Sequence, residues 1–143
     1  MPETTDRLGP VDVLIIEFPD GAIRAEGFAR LVDLTERQVI RVLDLEFVRR
    51  PHEGAMELLD IADAVAGAPE PLDHLIGAST ALLDLDDLDV VGEVIEPGST
   101  AAVLLYEQVW VLPLADAFGA DGARIASAAH VDPLEVIEAL AHF

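Results

Sequence analysis

The sequence predicts an α+β fold, a ferredoxin-like βαββαβ sandwich extended by a C-terminal αβα segment. Three observations carry this reading. Residues 11–18 and 100–107 are apolar, β-branched runs of strand length. Between them, helix-period and strand-period patterning follow one another as helix, strand, strand and helix. The chain of 143 residues, 52% of them hydrophobic, has the length and apolar content to fill one core. Residues 1–10 read as a flexible N-terminal arm ending in Gly9-Pro10, and residues 11–143 as a single domain.

Val11-Asp12-Val13-Leu14-Ile15-Ile16-Glu17-Phe18 is apolar on both parities, the pattern of a central strand, and Pro19-Asp20-Gly21 stops it. Over residues 22–38, Ile23, Gly27, Leu31 and Leu34 fall on one helical face. Glu26–Arg30 and Asp33–Arg37 are i,i+4 pairs on its solvent face. Residues 40–50 alternate: Leu43, Leu45 and Phe47 point one way, and Val42, Asp44, Glu46 and Val48 the other. Residues 50–54 read as a turn and residues 55–61 as the returning strand of a hairpin.

Residues 62–83, broken by Gly67, Pro69, Pro71 and Gly77, read as a connection with one short helical piece. Leu85, Leu88, Val91 and Ile95 make a helical stripe whose first turn holds Asp84, Asp86 and Asp87, where the helix dipole favours anions. Val103–Glu107 repeats Val13–Glu17 ninety positions on, suggesting two βαβ halves. A helix over residues 109–118, a strand over 124–129 and a closing helix complete the order. Asp132 is the N-cap of that last helix, Pro133 its first residue, and Leu134, Ile137 and Leu140 turn inward.

Charge bounds the partners. The chain has 28 acidic residues against 8 basic ones, all Arg, for a formal charge of -20. Such a field repels phosphate backbones and anionic lipid, so neither nucleic acid nor membrane is expected as a partner, whereas a basic protein or a cation is compatible. Without cysteine there is no thiolate nucleophile or Cys-type metal site. No export signal or membrane-length apolar run is visible, which points to the cytoplasm.

The candidate site is a carboxylate face. In the expected sandwich both helices cover one side of the sheet, leaving Asp44 and Glu46 on the open side with Val42 and Val48, while Glu17 and Glu107 end neighbouring strands. Four converging carboxylates suit a divalent cation or a raised carboxyl pKa; strand carboxylates flanking a subunit interface are the simpler alternative. The run Asp84–Asp89 lacks EF-hand spacing and reads as an acidic helix start. Ser127, His130 and Asp132 stand too close in sequence to form a triad, and His52, His74 and His142 are isolated. Arg49, Arg50 and His52 form the one basic cluster, Tyr106 and Trp110 read as core filling, and no phosphate-binding loop occurs. No catalytic residue, metal ligand set or cofactor is assigned.

Gly9-Pro10-Val11-Asp12, Ile40–Asp44, Glu96–Val103, Glu107 with Trp110, and Ala126-Ser127 together resemble an uncharacterised family of small proteins from high-GC bacteria, a domain of unknown function. The chain is more distantly similar to stress-associated proteins that carry a Gly/Ala-rich apolar hairpin in the middle, where this sequence has Glu70, Asp73 and His74. The resemblance implies a fold and supplies no catalytic residue. The functional expectation is therefore a non-enzymatic homo-oligomeric binding or regulatory module, a dimer first, pairing through the open sheet face or an edge strand. The alternatives are a small enzyme of the dimeric α+β barrel type, with Glu17, Glu107 or His130 as base, and a protein that binds a divalent cation or a basic partner.

Overall fold

Two apolar strands at opposite ends of the chain meet in the sheet, and their pairing organises the fold. A computed structural model describes residues 8–23, 26–60 and 75–141. The elements are β1 (Val11–Phe18), α1 (Glu26–Glu36), β2 (Arg41–Arg49), β3 (Glu57–Leu59), a 3-10 turn (Ile76–Ala78), α2 (Leu85–Val91), β4 (Thr100–Glu107), α3 (Val111–Ala120) and α4 (Pro133–Leu140). The protein is α+β, with one four-stranded antiparallel sheet in the order β1-β4-β2-β3. Among the described residues no helix is long and apolar enough to cross a membrane.

The element order from β1 to β4 is the expected one, but the layers differ. β4 inserts between β1 and β2, so β1 is an edge strand among the described residues and not the central strand its apolar run suggested. The most buried strands are β2 and β4, where Leu45, Phe47, Ala101 and Ala102 are fully enclosed. Ala101 and Ala102 point to opposite faces of β4, and their small side chains let a helix approach the sheet from either side. On one face Phe28 and Leu31 of α1 pack with Leu45, Phe47, Leu75, Ala102 and Leu104. Phe28 sits between Phe18 and Phe47, with ring centroids 6.2 and 5.7 Å away. On the other face Leu88 and Val91 of α2, with Ile95, pack on Val48, Ala101 and Val103. The sheet face expected to be open is covered by α2.

A bulge in β2 sets which side chains reach which layer. The β2–β4 register shifts between Val42 and Asp44, so Leu43 is the extra residue. Val42 therefore joins Leu45 and Phe47 on the α1 side, while Asp44, Glu46 and Val48 face α2. Strict alternation had put Val42 with Asp44.

Local signals explain the element ends. Gln38 takes a left-handed φ of 59°, and the Val39 N–H donates to the Leu34 carbonyl at 3.0 Å, closing α1 and turning the chain into β2. Asp33 and Arg37 form the expected exposed ion pair at 3.3 Å; the side chain of Glu26 lies outside the described residues. Asp84 caps α2 in a reciprocal capping box with Asp87. Gly98, at φ 85°, returns the chain to β4 with the His52 ring packed where a Cβ would stand, 2.7 Å away.

The C-terminal segment departs furthest from expectation. Residues 124–129 form no strand, so the second βαβ half is not completed. α4 begins as predicted, with the Asp132 carboxylate accepting from the Leu134 N–H at 2.9 Å and Pro133 at the helix start. Its apolar stripe does not turn inward: Leu134, Ile137 and Leu140 are 66%, 61% and 63% exposed. Trp110 is also largely exposed, its indole N–H donating to Gln108 Oε1 at 3.2 Å, so it does not fill the core. Phe28→Ala should cost about 3–5 kcal/mol of unfolding free energy in urea titrations, as expected for a large ring removed from a packed core. Trp110→Ala should cost less than about 1 kcal/mol in the same measurement.

Candidate functional site

Glu17, Asp44, Glu46 and Glu107 all project from the α2 face of the sheet, as their register against β4 requires. They do not converge. Glu17 stands opposite Ala101, whereas Glu107 ends the same strand six residues on, about 20 Å away at strand rise. Only Asp44 and Glu46, two apart on β2, are close neighbours. Among the described residues no three His, Asp or Glu side chains gather into a group able to hold a metal ion.

Each carboxylate instead fastens a loop to the sheet. Asp44, fully buried, accepts from the backbone N–H of Thr80 on one oxygen and of Leu83 on the other, both at 2.8 Å. Glu46 accepts from the Ser79 hydroxyl at 2.7 Å and from the Ala81 N–H at 3.3 Å. The Thr80 hydroxyl donates to the carbonyl of the bulged Leu43 at 2.6 Å, so the bulge takes part in the same clasp. Glu17 accepts from the Glu96 N–H at 2.8 Å, tying down the exit of α2. Glu107, also buried, accepts from the Gly9 N–H at 2.7 Å and pairs with Arg41 at 2.9 Å. Gly9 is thereby fixed in the fold, with the Gln108 carbonyl oxygen 2.3 Å from where a Cβ would sit.

The Asp44–Glu46 pair is the one chemically unusual element. Two adjacent carboxylates in a water-poor layer cannot both ionise cheaply, and a hydrogen bond between them holds one proton. Burial, then the hydrogen bond to Asp44 and its negative charge, push the Glu46 carboxyl above the ordinary glutamate range. Burial also acts to raise Asp44, but the hydrogen bonds from Glu46, Leu83 and Thr80 outweigh it and hold its carboxyl below the ordinary aspartate value. A raised carboxyl pKa suits acid catalysis where substrate can reach it. Here residues 79–83 lie over the pair, and their N–H groups occupy the oxygens a cation would take.

The remaining candidates separate. Ser127 lines a cleft beside α3, His130 stands 3.7 Å from Asp12, and Asp132 caps α4, so the three serve different contacts. Arg50 donates to the Ile95 carbonyl at 2.6 Å, which joins it to the α2 exit. His74 and His142 lie outside the described residues. Among the described residues, clefts flank the sheet and α3, and the four most developed are lined by residues other than Glu17, Asp44, Glu46 and Glu107. The most apolar of them, 380 Å³ between α1 and β1, is lined by Leu14, Ile16, Phe18, Leu31, Leu34 and Tyr106 among others. Sequence reasoning missed this cleft, because the apolar runs that line it looked like core. It also missed Arg41, Ser79 and Thr80 as partners of the carboxylates; the Ser-Thr pair in a poorly patterned stretch was the only signal.

Three outcomes test the clasp. Asp44→Asn puts an amide N–H against a backbone donor and should cost about 1–3 kcal/mol at pH 7. Glu46→Gln keeps an acceptor for Ser79 but turns its amide N–H on the Ala81 N–H, and having no carboxyl to titrate it should show a melting temperature that varies less with pH than that of the native protein. A raised folded pKa contributes stability below the unfolded glutamate pKa, about 4.3, that is lost as pH rises through the folded value. Melting curves across that window should therefore fall for the native protein relative to Glu46→Gln. The depressed Asp44 contributes in the opposite sense, its stabilisation disappearing as pH falls through its folded value. Gly9→Ala, which drives a Cβ into the Gln108 carbonyl, should lower the melting temperature by unseating the N-terminal strap from Glu107.

No curated protein and no solved structure matches the chain. One family does, across residues 7–143, a span that includes β1, the clasped β2, β4 and both C-terminal helices. The protein belongs to that family, described as a family of unknown function (DUF6325).

Proposed function

We propose that the protein is a non-enzymatic, homo-oligomeric binding module that associates through its C-terminal helices. The observation that carries this reading is α4: a capped helix with an apolar stripe that faces solvent along its whole length. A stripe of this kind is normally spent on packing, since burying each large aliphatic side chain contributes roughly 1.5–3 kcal/mol. Leu114 and Phe118 on α3, and Ile125, Val131 and Val136 nearby, extend the exposed apolar surface along the same arm. Exposed apolar side chains in this number are what an interaction site in a soluble protein presents. Pairing was expected through the open sheet face or an edge strand; α2 covers that sheet face, and the reading proposed here uses the C-terminal helices instead.

Against an enzymatic reading weighs the use made of its candidate bases: Glu17 and Glu107 are bound to backbone N–H groups, and His130 is exposed beside Asp12. Against a cation-binding reading weighs the clasp, whose N–H donors stand where a cation would. The net charge of -20 opposes association of like chains, so assembly should tighten as salt screens it.

Size-exclusion chromatography with light scattering at micromolar concentration in moderate salt should give a dimer mass. Leu134→Glu/Ile137→Glu should give a monomer with an unchanged circular dichroism spectrum. A native chain that stays monomeric under those conditions would overturn the reading.

A further inference from the structure

The sheet is unevenly covered. Four strands span about 14 Å between the outer axes, and one helix with its side chains is about 10–12 Å wide. On the face that carries α1, Phe28 and Leu31 pack on β2 and β4 and Phe28 reaches Phe18 at the end of β1, while Leu14 and Ile16 of β1 line a groove. Leu14 is 48% exposed at its edge. The second helix that would fill this layer, α2, is on the opposite face. Gly27 borders the groove from α1, and a Cβ added there would meet nothing within 4 Å. Gly27 lies in the first turn of α1, and among the described residues no atom occupies the space its missing side chain leaves. A closely approaching helix is what such a position admits.

We infer that the groove between α1 and β1 receives α4 of a second copy, so that two chains exchange their C-terminal helices about a two-fold axis. This rests on the self-association proposed above and adds which surfaces meet. The lengths agree: eight residues of α4 span about 12 Å, close to the Gly27–Leu34 stretch of α1 that edges the groove. The chemistry agrees as well. Leu134, Ile137 and Leu140 offer anchors at helical spacing to an apolar groove, the helix-in-groove mode of recognition. α4 carries Glu135 and Glu138 and no basic residue, and the groove carries Arg30, one of only eight basic residues in the chain.

The geometry favours a second copy over the chain's own helix. His130 stands beside Asp12 at the start of β1, only Val131 and Asp132 separate it from α4, and every residue from Asp121 to Leu140 is exposed, so the chain's own α4 is not seated in the groove. Each chain offers one helix and one groove, so a two-fold pair satisfies both and closes without leaving an open end.

The chain has no cysteine, so introduced thiols report unambiguously. Leu34→Cys and Ile137→Cys chains, mixed in equal amounts and oxidised mildly, should form the 34–137 cross-link in preference to 34–34 or 137–137. Gly27→Leu, which fills the groove, should raise the dimer dissociation constant at least tenfold without lowering the melting temperature of the monomer. A dimer of native mass that cross-links 137–137 instead would overturn the groove assignment and leave self-association standing. A Leu34→Cys/Ile137→Cys chain that closes an intramolecular disulfide as a monomer would show that the groove takes the chain's own helix, and would overturn the exchange. A monomer with no cross-link would overturn both readings. Should Leu34→Cys fold poorly, Leu14→Cys on the exposed strand edge takes its place.

Discussion

Burying Asp44 and Glu46 beneath residues 79–83 is the constraint on which the rest of the architecture turns. Two carboxyl groups in a water-poor layer are costly unless their oxygens are met by donors, and residues 79–83 supply those donors from backbone N–H groups and hydroxyls. The loop can satisfy them only by lying flat on the sheet, which delivers Asp84 and the start of α2 to the same face. The shared environment shifts the two carboxyls apart, raising Glu46 by burial and by its hydrogen bond to Asp44 while the donors around Asp44 lower it. The acids that a sequence reader would assign to a metal thus hold polypeptide in place, with peptide dipoles doing the neutralising.

The bulge at Leu43 makes this arrangement compatible with a hydrophobic core. One extra residue changes the phase of β2, so Val42 can share the α1 layer with Leu45 and Phe47 while Asp44 and Glu46 face the clasp. Once α2 is committed to that side, the described residues covering the other are those of α1 and the 3-10 turn with Leu75 and Ala78, and the outer part of β1 keeps apolar side chains that line the groove. The groove beside α1 is therefore a consequence of dividing two helices between two faces. Glu17 and Glu107 extend the same logic to the ends of β4, pinning the α2 exit and the N-terminal strap.

Most secondary structure was legible, because it depends on periodicities of two and 3.6 residues and on local caps. β1, β2, β4, α1 and the starts of α2 and α4 lie within a few residues of where pattern and capping placed them. Residues 124–129 form no strand because this alanine-rich segment, with Ile125 its one β-branched residue, has no ladder partner among the described strands. The common face of Glu17, Asp44, Glu46 and Glu107 was also legible, for strand parity and the β1–β4 repeat lead to it. Their separation was not, since it depends on the register of β4 against both neighbours, and neither was their partnership with residues 79–83, which are some 35 positions away from β2 in sequence.

The sequence by itself determined the class of elements, their order from β1 to β4, the caps that start α2 and α4, and a formal charge of -20. These follow from short-range stereochemistry and composition, which need no knowledge of what lies across the sheet. Only the tertiary structure decided that β4 enters between β1 and β2, that α1 and α2 take opposite faces, and that the carboxylates close on loops. Those outcomes depend on long-range register and on the phase of a single bulge, and alternation along one strand carries no information about either.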